Sequence, residues 1–193
     1  MTNVSLPKKS GGSPGAPVAK NPNIIIIKVK DLLVAGGVMT GWPARDAKGV
    51  RLAAAIQLAV GKKAMGIYAT PSTIKRNDNS EGDPDAEGFF HNVSFEHPGS
   101  SIDKDEVVQQ NISEDVILIT RDFEDVNGTR VHGTPANPTK MVIEEQDDNE
   151  ANKTMFTFKS IQRTKYKSAH YNFAMPVLEA DANYETASSG GGI

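Results

Sequence analysis

The chain has 193 residues, no cysteine and a formal net charge of −3, and 38% of its residues are hydrophobic. This length suits one domain with extensions, and the lack of cysteine excludes disulfides, thiolate nucleophiles and cysteine-bound zinc. The slight negative charge argues against direct binding of duplex DNA, which needs a basic face. Because no apolar run approaches the ~20 residues that span a bilayer, and residues 1–20 lack the apolar centre of a secretory signal, we expect no membrane partner.

The two ends of the chain differ in composition from its middle. Residues 1–22 are rich in Gly, Pro and Lys, and residues 180–193 contain a Ser/Gly-rich stretch, so both predict flexible arms. Residues 23–179 hold the apolar segments and form the predicted domain. For residues 1–22, an ordinary floppy terminus and an arm that orders on a neighbouring subunit are the two alternatives.

The middle of the chain predicts strand, short helix and strand. Residues 88–96 alternate, with Phe89, His91, Val93 and Phe95 on one face, which is typical of a half-buried strand. His97-Pro98-Gly99-Ser100 ends that strand. Asp103 and Glu106 match a helix-start capping pattern, and Val107, Val108 and Ile112 form the apolar face of a helix that ends by Ser113. Residues 115–123 then form a β-branched strand.

Further strands flank this centre. Residues 24–33 open with four consecutive Ile, which indicates burial on both faces or cover by another protein. Residues 140–145 predict another strand, and residues 154–163 and 166–178, which alternate, predict a final hairpin. Residues 49–60 fit a helix or a strand, and we interpret them as a strand that pairs with residues 63–74. Seven or eight strands with one short helix predict a mainly β fold, a β-sandwich or barrel with extended terminal arms.

Residues 76–88 predict a long acidic loop. Their oxygen-bearing side chains suggest calcium, but Ser80 and Gly82 stand where an EF-hand needs ligands, and Pro84 disrupts the turn. A solvated loop without a metal is therefore the interpretation.

No catalytic motif is found. The four histidines, His91, His97, His132 and His170, are too far apart for an H-E-x-x-H or zinc-finger motif. We interpret His91 as a hydrogen-bonded core residue and His97 as a cap at a corner. There is no G-x-S-x-G, and Gly61-Lys62-Lys63 lacks the upstream glycine of a phosphate loop. We predict no catalytic, cofactor-binding or metal residues, and a protein that is not an enzyme.

The strand at 88–96, the helix at 103–112, the strand at 115–123 and the hairpin at 154–173 together resemble in layout the tail-tube proteins of tailed bacteriophages. The resemblance covers about residues 63–178, whereas residues 24–60 have no counterpart. It implies a virion structural protein, made in the host cytoplasm, whose β-barrel-like subunits close into hexameric rings around a lumen. DNA would pass without sequence-specific binding. The partners implied are identical subunits and neighbouring virion proteins, with residues 1–22, 77–87 and 180–193 bridging stacked rings.

Two points stay open within this hypothesis. Acidic residues could line a lumen that repels phosphates or could be solvated turns; they are Asp78, Glu81, Asp83, Asp85, Glu87, Asp147, Asp148 and Glu150. Trp42, the only tryptophan, is either a plug on the core or an interface anchor. The alternative functions are a head-decoration or connector protein of the same setting, and a ligand-binding β-sandwich with Trp42, Tyr68 and Tyr171 as exposed contacts.

Overall fold

A computed structural model describes residues 17–123 and 126–178. Most of the predicted N-terminal arm (residues 1–16) and the whole predicted C-terminal tail therefore lie outside the described residues. The described chain is mainly β, with eleven strands and one α-helix, which confirms the predicted fold class. The strands are β1 Asn23–Lys28, β2 Val34–Ala35, β3 Val38–Met39, β4 Met65–Tyr68, β5 Lys75–Glu81, β6 Gly88–Pro98, β7 Val116–Thr120, β8 Arg130–His132, β9 Thr139–Asp147, β10 Asn152–Ser160 and β11 Ala169–His170, and the helix is α1 Ile102–Asn111.

Nine of the strands form one hydrogen-bonded sheet that folds into two layers and does not close into a barrel. The four-stranded layer has the antiparallel order β9-β10-β6-β5. The five-stranded layer has the order β4-β1-β7-β8-β11. A single pair, Val116 with Thr139, joins β7 of one layer to β9 of the other. The result is a sandwich in which each layer covers one face of the other.

The core explains why β1 carries four consecutive isoleucines. Ile24 and Ile26 face the four-stranded layer and pack with Phe95, Phe156 and Phe158, whose rings are stacked. Ile25 and Ile27 face the other way, into a second cluster with Leu52, Ile56 and Tyr171. Because both faces of β1 are covered within the chain, the predicted burial on both faces is confirmed without the help of another protein.

The helix α1 closes the gap between the two layers at one side. Its N-cap is Ser101, whose hydroxyl accepts the backbone N–H of Lys104, so the predicted cap at Asp103 is wrong. Val107 and Val108 pack on the core as expected, whereas Ile112 lies just after the helix and is 43% exposed. The buried helix residues are Lys104 and Asn111.

Residues 49–60 correct one sequence prediction. They form neither a helix nor a strand that pairs with residues 63–74. Instead they make isolated bridges, such as Leu52 with Arg45 and Leu58 with Leu32. Leu52 and Ile56 are buried against the outer face of the five-stranded layer, so their apolar side chains serve as a cover. Spaced apolar residues of this kind mimic either regular period, which explains the ambiguity.

The predicted acidic loop at 76–88 is also wrong. Its first half is the strand β5, paired with β6 from Lys75 opposite Ser94 to Glu81 opposite Gly88, and only residues 82–87 form a turn. A strand of such polar sequence is hard to distinguish from a polar loop. The polar sequence is tolerated because β5 is an edge strand, with a neighbouring strand on one side only.

The predicted final hairpin at 154–173 does not form. β10 pairs with β9 and β6, whereas β11 pairs with β8. Most of residues 166–178 is irregular. Near the other end of the described chain, residues 19–21 hydrogen-bond to residues 121–123 beyond the end of β7, so this described part of the predicted arm lies against the sheet.

Candidate assembly interface

The four-stranded layer has two open edges, β5 and β9. Within the described residues, no backbone–backbone hydrogen bond joins β5 to any strand except β6. On its outer side, β9 bonds to β7 only through Thr139. Edge strands with unpaired N–H and C=O groups are templates for pairing with another strand. Both edges are solvent-accessible over most of their length.

The two open edges run in opposite directions. Neighbouring strands in this layer are antiparallel and the layer has four of them, so β9 and β6 run one way and β10 and β5 run the other. When a second copy is placed beside the first in the same orientation, its β9 lies antiparallel to β5 of the first. The alternation of strand directions then continues across the junction without a break.

The side chains on the two edges carry complementary charges. On the outward face, meaning the face of the four-stranded layer turned away from the five-stranded layer, β5 begins with Lys75 and ends with Glu81. On the same face, β9 begins with Lys140 and carries Glu144 towards its end. Antiparallel pairing brings the Lys75 end of β5 to the Glu144 end of β9. Opposite charges on paired strands contribute about 0.2–1 kcal/mol per pair.

The inner face of β5 is tied to the five-stranded layer, which holds this edge in place. Arg76 donates to Asp122 Oδ1 at 2.5 Å and to the carbonyl of Gly128 at 2.8 Å. Asp78 Oδ2 accepts the hydroxyl of Ser168 at 2.6 Å. An edge strand fixed before it meets a partner loses less conformational entropy on pairing.

Two buried histidines lie behind this edge. His91 Nδ1 accepts the backbone N–H of Gly133 at 2.9 Å, so its Nε2–H donates to the carbonyl of Tyr166 at 3.0 Å. His132 Nε2 lies 3.0 Å from the hydroxyl of Thr120. Burial lowers the pKa of His91, and burial lowers the pKa of His132 to about 3. The interpretation of His91 as a hydrogen-bonded core residue is confirmed, since both of its ring nitrogens bond to the backbone.

The other residues singled out from the sequence lie apart from this edge and from one another. His97 Nδ1 lies 2.9 Å from the carbonyl of Tyr68 and caps the corner as expected, while His170 Nδ1 lies 3.1 Å from the carbonyl of Asn127. Trp42 is half-buried and packs on the second core cluster, as a plug would. Tyr171 is fully buried, so its suggested role as an exposed ligand contact is wrong.

The acidic residues do not form one wall within a subunit. Asp83, Asp85 and Glu87 lie at the β5–β6 turn, and the other acidic group (Asp147, Asp148 and Glu150) lies at the β9–β10 turn. The strand register places these turns at opposite ends of the layer, about 35 Å apart along β6 at ~3.3 Å per residue. Asp78 faces inward. The outward face itself has mixed charge: it carries Lys75, Lys140, Lys153 and Lys159 together with Glu81, Glu96 and Glu144.

A small exposed hairpin, β2–β3, is a second surface that was not expected from the sequence. Residues 34–40 are all exposed, and Val34, Val38 and Met39 are apolar. Gly36 and Gly37 form its turn with φ of 59° and 78°, a conformation that glycine adopts without strain. The signal in the sequence is the Gly-Gly pair between short apolar segments.

Within residues 17–123 and 126–178, no His, Asp or Glu side chains form a group of three that could hold a metal ion. No helix of this described part is long and apolar enough to cross a bilayer. Comparison of the chain with protein-family models, with curated proteins and with solved structures gives no match. The function proposed below therefore depends on the geometry of the chain and on the resemblance in layout described under the sequence.

Proposed function

We propose that this chain is a structural subunit that assembles with identical copies into a ring of the phage tail-tube kind, a virion component through which DNA passes. One observation supports this proposal above the others. Among the described residues, the four-stranded antiparallel layer ends in two open edges of opposite direction, so that identical copies can continue it indefinitely. A head-to-tail contact of this type closes into a ring when the rotation per copy divides a full turn.

In the proposed ring, β5 of each copy pairs with β9 of the next. Each copy contributes four strands to one continuous antiparallel barrel, and closure removes every open edge of the layer. The inward-facing residues of β5 must lie beside the inward-facing residues of β9 in the next copy, because a shift of the pairing by one residue would exchange the two faces of a strand. Lys75 therefore pairs with an even-numbered residue of β9, and Glu144 is then its direct or diagonal neighbour.

The energy of one such junction is modest. A backbone hydrogen bond contributes about 0.5–1.5 kcal/mol net, and a junction of six or seven residues makes about that many bonds. Association of two proteins costs about 4–15 kcal/mol in lost freedom. A single junction is thus marginal, whereas closure of the ring gives every copy two junctions. We expect cooperative assembly above a threshold concentration, helped by contacts such as the apolar β2–β3 hairpin.

The outward face lines the channel in this proposal, since the other face of the layer is covered by the five-stranded layer. Its four lysines and three glutamates leave the net charge close to zero. Phosphate binding grows with the number of uncompensated cations, and Lys153 is already paired with Glu96 at 2.9 Å. A channel wall of this kind lets DNA pass without strong attraction, and it replaces the acidic wall considered from the sequence.

Disulfide cross-linking tests the junction. Because the sequence contains no cysteine, every disulfide must join cysteines that were introduced. The Lys75→Cys/Glu144→Cys double variant is expected to give a ladder of disulfide-linked oligomers that ends at one closed species. Either single variant can form dimers at most and is the matched control. Light scattering and negative-stain images of the unmodified protein should show rings or stacked rings. A protein that remains monomeric at high concentration, with no ladder, would refute the proposal.

A further inference from the structure

An open cleft of about 540 Å³ lies between residues 86–90 and 161–165, beside the β5–β6 turn. A backbone bridge between Phe89 and Thr164 holds its two walls together, with N···O distances of 2.8 and 3.0 Å. Gly88 permits this approach, because a Cβ atom there would lie 2.9 Å from Cβ of Arg163. The cleft is therefore a built feature of the fold.

The cleft combines apolar walls with a basic rim. Phe90 and Ile161 supply apolar surface, and Ile161 is 53% exposed. Arg163 and Lys165 supply positive charge, and the ammonium of Lys159 lies 4.9 Å from the centre of the Phe90 ring. Glu87 is the acidic residue among those lining the cleft, and the adjoining β5–β6 turn also carries Asp83 and Asp85. Such a surface suits an acidic peptide that carries an aromatic side chain.

The chain itself contains a segment of this chemistry. Residues 152–178 include five Lys or Arg and no Asp or Glu, whereas residues 179–193, outside the described structure, include three Asp or Glu and no Lys or Arg. Tyr184 stands between the acidic residues Asp181 and Glu185. We infer that the acidic segment 179–193 docks in the basic cleft of its own chain.

The expected strength of the contact favours the same chain over a second copy. Exposed ion pairs contribute about 0.2–1 kcal/mol each, so three of them give a free peptide only millimolar affinity. A tethered segment experiences an effective concentration of about that size. Fifteen residues reach about 50 Å when extended, which exceeds the roughly 40 Å diameter of a domain of this size.

Disulfide capture in the full-length chain tests this inference in dilute monomer, where ring assembly plays no part. The Gln162→Cys/Asn183→Cys variant, which keeps Tyr184, is expected to form an intrachain disulfide at a rate that is independent of protein concentration. The Asn149→Cys/Asn183→Cys variant, with its first cysteine at the far end of the four-stranded layer, is the matched control and should react about tenfold more slowly, as for a contact worth ~1.4 kcal/mol.

Charge reversal provides the second arm. Arg163→Glu with Lys165→Glu should slow the cleft disulfide about tenfold, and high salt should do the same because it screens exposed charges. Adding Glu179→Lys, Asp181→Lys and Glu185→Lys to the reversed cleft should restore the rate. Equal rates in the cleft and control pairs, insensitivity to charge reversal, or predominantly interchain disulfides would each overturn the inference.

Discussion

Gly133 donates its backbone N–H to Nδ1 of His91 at 2.9 Å, which leaves Nε2 as the only ring nitrogen of His91 that carries a proton. That proton is directed at the carbonyl of Tyr166. The ring of His132 lies 6.3 Å away, edge to face. A second proton on His91 would have to displace the Gly133 bond, and it would place a positive charge next to another buried imidazole.

Acid should therefore destabilise the fold through these two histidines. Burial lowers the pKa of both rings, to about 3 for His132, whereas an unfolded histidine titrates with a pKa near 6.5. The unfolded chain thus binds more protons below pH 6.5, and stability falls as the pH falls from 6.5 towards the folded pKa values. We expect His132 to lower the free energy of unfolding by up to about 1.4 kcal/mol per pH unit well below pH 6.5, and His91 to act in the same direction, measured by urea unfolding at pH 7, 6 and 5.

A substitution separates the contribution of one ring. His132→Gln should weaken the fall in stability between pH 6.5 and 5, whereas His97→Gln, at a partly buried corner, controls for the loss of an imidazole. If His132→Gln is too unstable to measure, NMR titration of the unmodified protein decides: imidazole resonances of His91 that shift to the charged form above pH 6 would contradict the prediction.

Asp122 neutralises two cations near the open edge. It accepts Arg76 Nη2 at 2.5 Å and lies 3.0 Å from Lys20 Nζ, and the Arg76 side chain is only 15% exposed. Asp122→Asn keeps the shape and leaves a largely buried guanidinium without a carboxylate. We expect a loss of about 3 kcal/mol in the free energy of unfolding. The surface pair Lys153–Glu96 is the control, and Glu96→Gln should cost under about 1 kcal/mol.

Lys104 and Glu145 form an asymmetric ion pair between α1 and β9. The Lys104 side chain is 3% exposed and the Glu145 side chain is 41% exposed. Removing the Glu145 carboxylate leaves the buried ammonium with Asp105, 3.1 Å away, as its remaining acidic partner, whereas removing the ammonium leaves Glu145 as a carboxylate that water can solvate. Glu145→Gln should therefore destabilise by about 1–3 kcal/mol, and Lys104→Met should be close to neutral because methionine fills the same space.

A double-mutant cycle checks this asymmetry. The Lys104→Met/Glu145→Gln variant should be about as stable as Lys104→Met alone, since the carboxylate has nothing left to neutralise. Equal costs for the two single substitutions would indicate that the pair contributes by its charges alone.

The parts of the fold that could be predicted from sequence are those in which one face of a strand is buried. The alternation of His91, Val93 and Phe95 in β6 follows directly from burial against the core. The strand β5 gave no such signal, because its inward residues Arg76 and Asp78 are polar and are satisfied by partners distant in sequence. A polar edge strand and a polar loop have the same composition.

The start of α1 could not be predicted from the sequence either, because several residues near it suit a helix start. Ser101, Asp103 and Asp105 are all good residues for a helix start, and only the backbone geometry selects Ser101 as the cap. The basic cleft joins residues 86–90 to residues 161–165 across the sheet, and no local pattern in the sequence records that contact.

Exchange of charge between the two open edges provides the sharpest test of the head-to-tail junction. Lys75→Glu places like charges at a junction between identical copies, and so does Glu144→Lys, so neither variant should assemble alone. In a mixture, the carboxylate introduced on β5 of the first variant meets the ammonium introduced on β9 of the second. At the next junction, the unchanged Glu144 of the first variant meets the unchanged Lys75 of the second. An equimolar mixture should therefore assemble into rings that alternate the two variants, and the number of copies per ring must be even.

This outcome also distinguishes the proposed junction from a two-fold pairing of β5 with itself, in which Lys75 would face Glu81. In that arrangement Lys75→Glu creates a repulsion that the second variant cannot relieve, because its own change lies on β9. Light scattering of each variant and of the mixture, at equal total concentration and low salt, gives the result. Assembly of Lys75→Glu alone, or a mixture that stays monomeric although both variants are folded, would exclude the β5–β9 junction.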